Sequence, residues 1–145
     1  MKNKFILVLL VLSSSFCIAQ EKITWQDLAD VKFTDKYFPE FEEYFMYPNF
    51  GDEIKTFDGK KVQLKGYFLN ISPEDGLYIL SKAPMAMCFF CGMGGPETVV
   101  ELQLKNNPKL KTDDIVSVTG TLKLNSEDVN HLIYILSDCT IEKVK

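Results

Sequence analysis

The sequence contains no arginine and only one histidine, His131. Without arginine the chain cannot form the planar, bidentate guanidinium clamp that many proteins use to bind phosphate or carboxylate groups. Its lysines form no basic stripe, and the formal net charge is −4, which argues against a nucleic-acid ligand. One histidine cannot build a histidine-rich metalloenzyme, and no Ser-His-Asp motif stands in a recognisable context. The composition therefore favours a protein that is not an enzyme.

The chain also lacks an apolar run of the roughly 20 residues needed to span a bilayer. The run FILVLLVL at residues 5–12 follows Lys2 and Lys4 and precedes the small-x-small tripeptide CIA at residues 17–19. This pattern predicts a secretory signal peptide, residues 1–19, cleaved after Ala19. We therefore expect an exported protein, periplasmic or secreted, with no transmembrane segment in the mature chain. Loss of the two lysines makes its net charge −6.

The mature chain is long enough for one compact domain and too short for two ordinary ones. It contains no internal repeat and no low-complexity segment. Its composition changes near Asp58-Gly59. We predict an N-terminal helix and aromatic arm at residues 20–57, followed by a strand-rich domain at residues 58–145.

The arm is predicted to begin with a short helix at residues 25–31, because Thr24 can cap it and Asp27 follows three residues later. The segment at residues 33–50 holds eight aromatic side chains and two prolines, which break any long helix. Exposed aromatics here would bind a sugar or a protein partner. We favour the alternative, in which the arm wraps a small barrel and plugs its open end, because a domain of this size needs that apolar burial.

Five later segments read as short strands, and most of them alternate apolar and polar residues. They are KVQLKGYF at 61–68, GLYILS at 76–81, TVVELQLK at 98–105, IVSVTGTLKL at 115–124 and HLIYILSDCTIEKV at 131–144. Two contain a mid-strand glycine, which suits a barrel bend. The order predicts a mainly β fold, a small five-stranded OB-like β-barrel. A helix between the third and fourth strands is not expected, because residues 106–114 are too few and include Pro108.

Four features of this chain recur together in a known family. They are WQDL at residues 25–28, FDGKKVQLKGY at residues 57–67, Cys88 after the second strand, and GTL at residues 120–122. With them the chain resembles an uncharacterised family of exported bacterial OB-like proteins, a domain of unknown function, and more closely a Bacteroidota-type branch with a CxxCG loop. The resemblance implies the fold but no particular activity. The wider family carries Cys-x-His in the second loop, where this chain has CFFCG.

The most distinctive segment is MAMCFFCGMGG, at residues 85–95. After signal-peptide removal three cysteines remain, Cys88, Cys91 and Cys139, and an odd number leaves one unpaired in an oxidising compartment. The Cys-x-x-Cys spacing lets two thiolates bind one metal ion. Cys139 is the expected third ligand, because its position in the last strand shares the parity of inward-facing apolar residues. His131 would lie about 26 Å from Cys139 along that strand, so both cannot join one site.

Three methionines, Met85, Met87 and Met93, surround the two loop cysteines and are possible additional ligands. Thiolates together with thioethers form the soft ligand set that suits Cu(I), whereas structural zinc sites use four ligands, often cysteine thiolates. The alternative is that the methionines only fill space in the core.

Three functions remain open from the sequence. The leading hypothesis is an exported OB-like domain that binds zinc or copper for a structural or metal-handling role, with a metal-handling or other protein partner in the cell envelope. The alternative is a non-catalytic binding or scaffold module in which a Cys88–Cys91 disulfide stabilises the loop. A thiol–disulfide enzyme is disfavoured, because no helix has room to begin after CFFCG and lower the pKa of the first thiol.

Overall fold

The computed structural model describes residues 20–144, so the predicted signal peptide lies outside the described residues. Within them the strands, numbered in chain order, are β1 (Glu21–Lys22), β2 (Val31–Phe38), β3 (Glu43–Phe50), β4 (Lys61–Ser72), β5 (Leu77–Ser81), β6 (Val99–Leu102), β7 (Ile115–Leu124) and β8 (Tyr134–Lys143). The two short helices are α1 (Trp25–Leu28) and α2 (Asp52–Lys55). Among these residues no helix is long and apolar enough to cross a membrane.

Five strands close into a barrel in the order β4, β5, β6, β8 and β7, and β7 pairs back onto β4. All neighbours are antiparallel except β6 and β8, which are parallel. The chain passes from β6 to β7 without a helix, as expected from residues 106–114. The predicted mainly β, five-stranded OB-like barrel is confirmed. One further strand, β1, lies outside the ring and pairs in parallel with β4.

Side chains of the barrel strands form two apolar clusters on opposite sides of the wall, because successive residues of a strand point to opposite faces. The interior cluster includes Phe68, Leu80 and Val100. Their sequence neighbours Leu69, Ile79 and Val99 form the outer cluster together with Cys88. The segment between β5 and β6, residues 82–98, therefore covers the outer face of the wall; we call it the cysteine loop.

The N-terminal helix is shorter than predicted. It ends at Leu28, and Val31 already belongs to β2. The expected cap is present, because the Thr24 backbone N–H and hydroxyl both donate to an Asp27 carboxylate oxygen, at 2.6 and 2.7 Å. Leu28 is fully buried in the interior cluster. The helix thus contributes to the barrel core, and its short length follows from the chain turning at once into a strand.

The aromatic arm forms an antiparallel hairpin, β2 paired with β3, which we call the aromatic hairpin (residues 31–50). At its base, the ring of Phe50 lies 5.6 Å from that of Tyr134 and packs against the interior cluster. Toward its tip, four large apolar side chains are exposed: Tyr37, Phe41, Tyr44 and Met46. Only part of the arm therefore covers the barrel. Cross-strand pairing lets the tip project from the surface, beyond the part of the arm that packs on the barrel.

Gly120 lies where the register of β7 against β8 shifts, between Thr119 and Thr121. A Cβ at this position would lie 2.8 Å from the Ser137 carbonyl oxygen and 3.1 Å from the Cys139 sulfur. We expect Gly120→Val to lower the free energy of unfolding by about 1–3 kcal/mol, because overpacking forces backbone shifts. Urea denaturation measures this loss. Thr121→Val, on the same strand, should change stability by less than about 0.5 kcal/mol, and equal losses in both variants would contradict the steric explanation.

Candidate functional site

The cysteine loop contains three single 3₁₀ turns and no α-helix. The turns are Met85–Met87, Phe89–Cys91 and Pro96–Thr98, and the last leads directly into β6. The loop is anchored to a neighbouring segment, because the Met85 backbone N–H donates to a carboxylate oxygen of Asp113 at 2.8 Å. Neither cysteine therefore occupies the N-terminus of an α-helix, the position that lowers a thiol pKa in thioredoxin-like enzymes.

Met85 is the residue around which both loop cysteines gather. The Cys88 sulfur lies 4.0 Å from the Met85 thioether sulfur, and the Cys91 thiol donates to the Met85 carbonyl oxygen at 3.0 Å. The turn between the cysteines is closed by the Cys91 backbone N–H, which donates to the Cys88 carbonyl oxygen at 3.0 Å. Both loop thiols thus lie against Met85, one beside its thioether sulfur and the other beside its carbonyl oxygen.

The sulfur atoms of the loop differ in their access to solvent. Cys88 is buried in the outer cluster, and Met85 packs beside it partly buried. Cys91 is exposed. Met87 and Met93 expose 56% and 65% of their surface. The group of three sulfurs is therefore held from below by the barrel wall and open on the side of Cys91.

All three cysteines of the described chain are free thiols. Loss of hydration raises the pKa of the Cys91 thiol, and the neighbouring Cys88 raises it further. A thiol–disulfide enzyme requires the opposite shift at its exposed cysteine. The loop therefore carries neither the helix nor the electrostatics of that enzyme class.

Cys139 lies on the other side of the barrel wall. It is half-buried in β8, packs against the interior cluster and donates its thiol to the Leu136 carbonyl oxygen at 3.1 Å. Burial raises its pKa to about 12. Cys139 does face the interior, but parity with Ile135 is not the reason. Tyr134 and Leu136 are the inward residues at the start of β8, and the register shift between Ser137 and Thr140 turns Cys139 inward. The interior of the barrel lies on the opposite side of the wall from the cysteine loop. Across residues 20–144, no three His, Cys, Asp or Glu side chains are grouped so as to hold a metal ion.

His131 does not begin the last strand, which starts at Tyr134. It lies in the preceding loop, where its ring Nδ1 is 2.8 Å from a carboxylate oxygen of Glu101. Glu101 is 6% exposed. The alternation of β6 predicts that Glu101 faces outward, and it does, but residues 125–133 cover it. Sequence reasoning missed this pair, because no local pattern shows which loop covers a strand.

The sequence matches no protein-family model and no curated protein. Among solved structures, the fold is similar to the crystal structure of a DUF3299 family protein, a domain of unknown function, from Pseudomonas aeruginosa PAO1. The superposition has a TM-score of 0.51 and covers 88% of this chain and 99% of that chain, with 16% sequence identity. At this identity the likeness shows a shared fold. Membership of a Bacteroidota-type branch with a CxxCG loop stays a prediction.

Proposed function

We propose that this protein binds one Cu(I) ion through the thiolates of Cys88 and Cys91, with the Met85 thioether as a third ligand. The observation that carries the proposal is the gathering of both cysteines around Met85, with the Cys88 and Met85 sulfurs 4.0 Å apart. Soft thiolate and thioether ligands are the set that selects Cu(I). The domain would have a metal-handling role in the cell envelope, where the predicted signal peptide would take it.

Copper suits this loop better than zinc because of the number of ligands available. Structural zinc sites are almost always four-coordinate, and Cys139 packs against the interior cluster, away from the loop. Cu(I) accepts two or three soft ligands, which the loop can supply without help from other elements. A site with few ligands and one open side also suits transfer of the ion to a partner protein. The exposed thioethers of Met87 and Met93 lie in the same loop and could receive the ion during that exchange.

Anaerobic titration of the reduced mature protein with Cu(I), in competition with a chromophoric chelator, tests the proposal. We expect one equivalent to bind, and native mass spectrometry should show the same stoichiometry. The double variant Cys88→Ser/Cys91→Ser should bind none. Met85→Leu should weaken binding about tenfold, because it removes one soft ligand and keeps both thiolates.

Matched controls separate the loop from the rest of the molecule. Cys139→Ser removes a thiol on the other side of the wall, and Met46→Leu removes an exposed thioether on the aromatic hairpin. Both variants should bind Cu(I) as the unmodified protein does. Loss of binding in Cys139→Ser, or no binding by the unmodified protein, would contradict the proposal. Tighter binding of zinc than of Cu(I) would show that the wrong metal is assigned.

The disulfide alternative gives a different result in the same experiment. Protein recovered from the export compartment would then be metal-free and lighter by two hydrogens, because one S–S bond replaces two S–H bonds. Cys88→Ser would then lower the free energy of unfolding and would not change copper binding, because the disulfide-bonded protein binds no copper. The loop would then be a stabilising element of a binding or scaffold module.

A further inference from the structure

A pocket of about 180 Å³ lies between the aromatic hairpin and the loop that joins β7 to β8, residues 125–133. The hairpin side contributes Phe38, Phe45 and Pro48, and the loop side contributes Asp128 and His131. The rings of Phe38 and Phe45 meet edge to face at 5.6 Å. One wall is therefore apolar and aromatic, and the other carries hydrogen-bonding groups. The copper proposal uses none of these residues.

The hairpin is fixed over the pocket by contacts to a single acidic side chain of the loop. The Lys36 Nζ lies 3.2 Å from a Glu127 carboxylate oxygen, and the Tyr47 hydroxyl donates to the other at 3.0 Å. The Lys36 Nζ also lies 4.1 Å from the centre of the Tyr47 ring. These contacts join the hairpin to the loop beside the pocket. The pocket is already formed in the unliganded protein, so binding needs no large rearrangement.

Hydrogen bonds within the loop at residues 125–133 also fix its conformation before any ligand binds. The buried side-chain amide of Asn125 donates to the carbonyl oxygens of Asp128 and Leu132, at 2.8 and 3.1 Å, and its oxygen accepts the Asp128 backbone N–H at 3.1 Å. The side-chain polar atoms of Asn125 are thus used within the loop. The Asp128 carboxylate accepts bonds from Asn130 through its Oδ1, which leaves Oδ2 for a ligand.

The strongest sign of a binding site is the pair formed by Glu101 and His131. One carboxylate oxygen of Glu101 lies 2.8 Å from His131 Nδ1, and the other accepts the Leu132 backbone N–H at 3.1 Å. Burying a carboxylate costs free energy unless it is fully hydrogen-bonded. Here it fixes the orientation of a half-exposed imidazole at the pocket wall, as carboxylates do for functional histidines. Glu101 is a positioning residue, and Nε2 is the ring nitrogen left for a ligand.

The chemistry of the walls defines the ligand class. The Asp128 carboxylate in the pocket lining, the Glu101 carboxylate behind His131 and the absence of arginine in the chain disfavour a phosphate or carboxylate ligand. Imidazole and carboxylate groups together bind hydroxyl groups, which both donate and accept. Aromatic rings on the opposite wall suit a flat apolar face. We propose that the pocket binds one neutral sugar ring of a glycan. The volume is below the usual range for whole small-molecule ligands, which fits a single ring.

Nuclear magnetic resonance titration of the ¹⁵N-labelled mature protein tests this assignment. The probes are maltose, cellobiose, lactose and N,N′-diacetylchitobiose, each at millimolar concentration. We expect at least one of them to shift the backbone amides of Phe45, Val129 and Ile133, with other amides unchanged. Glucuronic acid should bind more weakly than the neutral sugars, because the Asp128 carboxylate lines the pocket. The same response is expected in the Cys88→Ser/Cys91→Ser variant, which separates this site from the copper proposal.

Variants distinguish ligand contacts from a structural role. Phe45→Ala and His131→Ala should each weaken sugar binding about tenfold, whereas Tyr44→Ala, which removes the neighbouring exposed ring, should not. Thermal unfolding of each variant checks that it is folded. His131→Gln should retain part of the affinity, because its amide can still hydrogen-bond. No shift with any of the four sugars, unchanged affinity in Phe45→Ala, or tighter binding of glucuronic acid or of a simple amine would overturn the assignment.

Discussion

Cys91 should react with iodoacetamide at least about a hundredfold faster than Cys139 in the folded protein. Only the thiolate is nucleophilic, and burial raises the pKa of Cys139 to about 12, so at pH 8 about one molecule in ten thousand carries that thiolate. Cys91 is exposed, although loss of hydration and the neighbouring Cys88 raise its pKa. Quenched labelling followed by peptide mass spectrometry measures the rate at each cysteine.

The pH dependence of the Cys91 rate follows from the direction of its shift. A raised pKa means that the thiolate fraction is still increasing at pH values where an ordinary thiol, with a pKa of about 8.5, is largely ionised. The rate should therefore keep rising through that range. In denaturing urea the rates at Cys91 and Cys139 should agree within a fewfold, because both lose their structural environment. Equal rates in the native protein would contradict the arrangement of the two thiols.

Tyr134→Ala should lower the free energy of unfolding by about 3–5 kcal/mol, the usual cost of removing a large buried ring. Tyr134 is fully buried in the interior cluster, and its hydroxyl donates to the Leu28 carbonyl oxygen at 2.7 Å. Its ring also lies against Phe50, at the base of the aromatic hairpin. This one side chain thus joins the barrel, the N-terminal helix and the hairpin. Urea denaturation of the variant and the unmodified protein measures this difference in the free energy of unfolding.

A conservative variant separates the ring from the hydroxyl. Tyr134→Phe keeps the ring and leaves the Leu28 carbonyl without its partner, so we expect a loss of about 1–2 kcal/mol. Tyr44→Ala removes an aromatic ring that is 68% exposed and should cost less than about 0.5 kcal/mol. If Tyr134→Ala and Tyr44→Ala were equally mild, the helix and hairpin would not depend on this contact.

The β-barrel could be predicted from the sequence because the pattern that identifies each strand lies within the strand itself. In three of the five strands, residues of alternating polarity mark one inward face, and IVSVTGTLKL coincides with β7. The glycine at position 120 marks the bend where β7 and β8 come too close for a side chain. The clustering of sulfur residues at positions 85–93 is likewise a property of the sequence, since the loop is short and its residues are neighbours in the chain.

The aromatic segment was harder to predict, because its sequence supports two structures. Cross-strand pairs such as Tyr37 and Tyr44, whose ring centres are 5.2 Å apart, stabilise a hairpin. These two residues are seven positions apart, and the separation differs for every other pair of the hairpin, so the aromatic residues show no regular spacing in the sequence. Which rings are buried depends on what the hairpin packs against. Phe38 is buried and its neighbour Tyr37 is exposed, and this difference comes from the loop beneath one face of the hairpin.

The strands, the glycine bend and the clustering of sulfur-containing side chains in the cysteine loop follow from the sequence, because each depends on residues close together in the chain. The tertiary structure alone decided which distant groups meet. Closing the barrel places Cys139 against the interior cluster and Cys88 in the outer cluster, so identical thiols are separated by the wall. The same closure brings Glu101 beneath His131, thirty positions away. Parity along a strand predicts a face, but only the closed sheet and its covering loops decide what lies on that face.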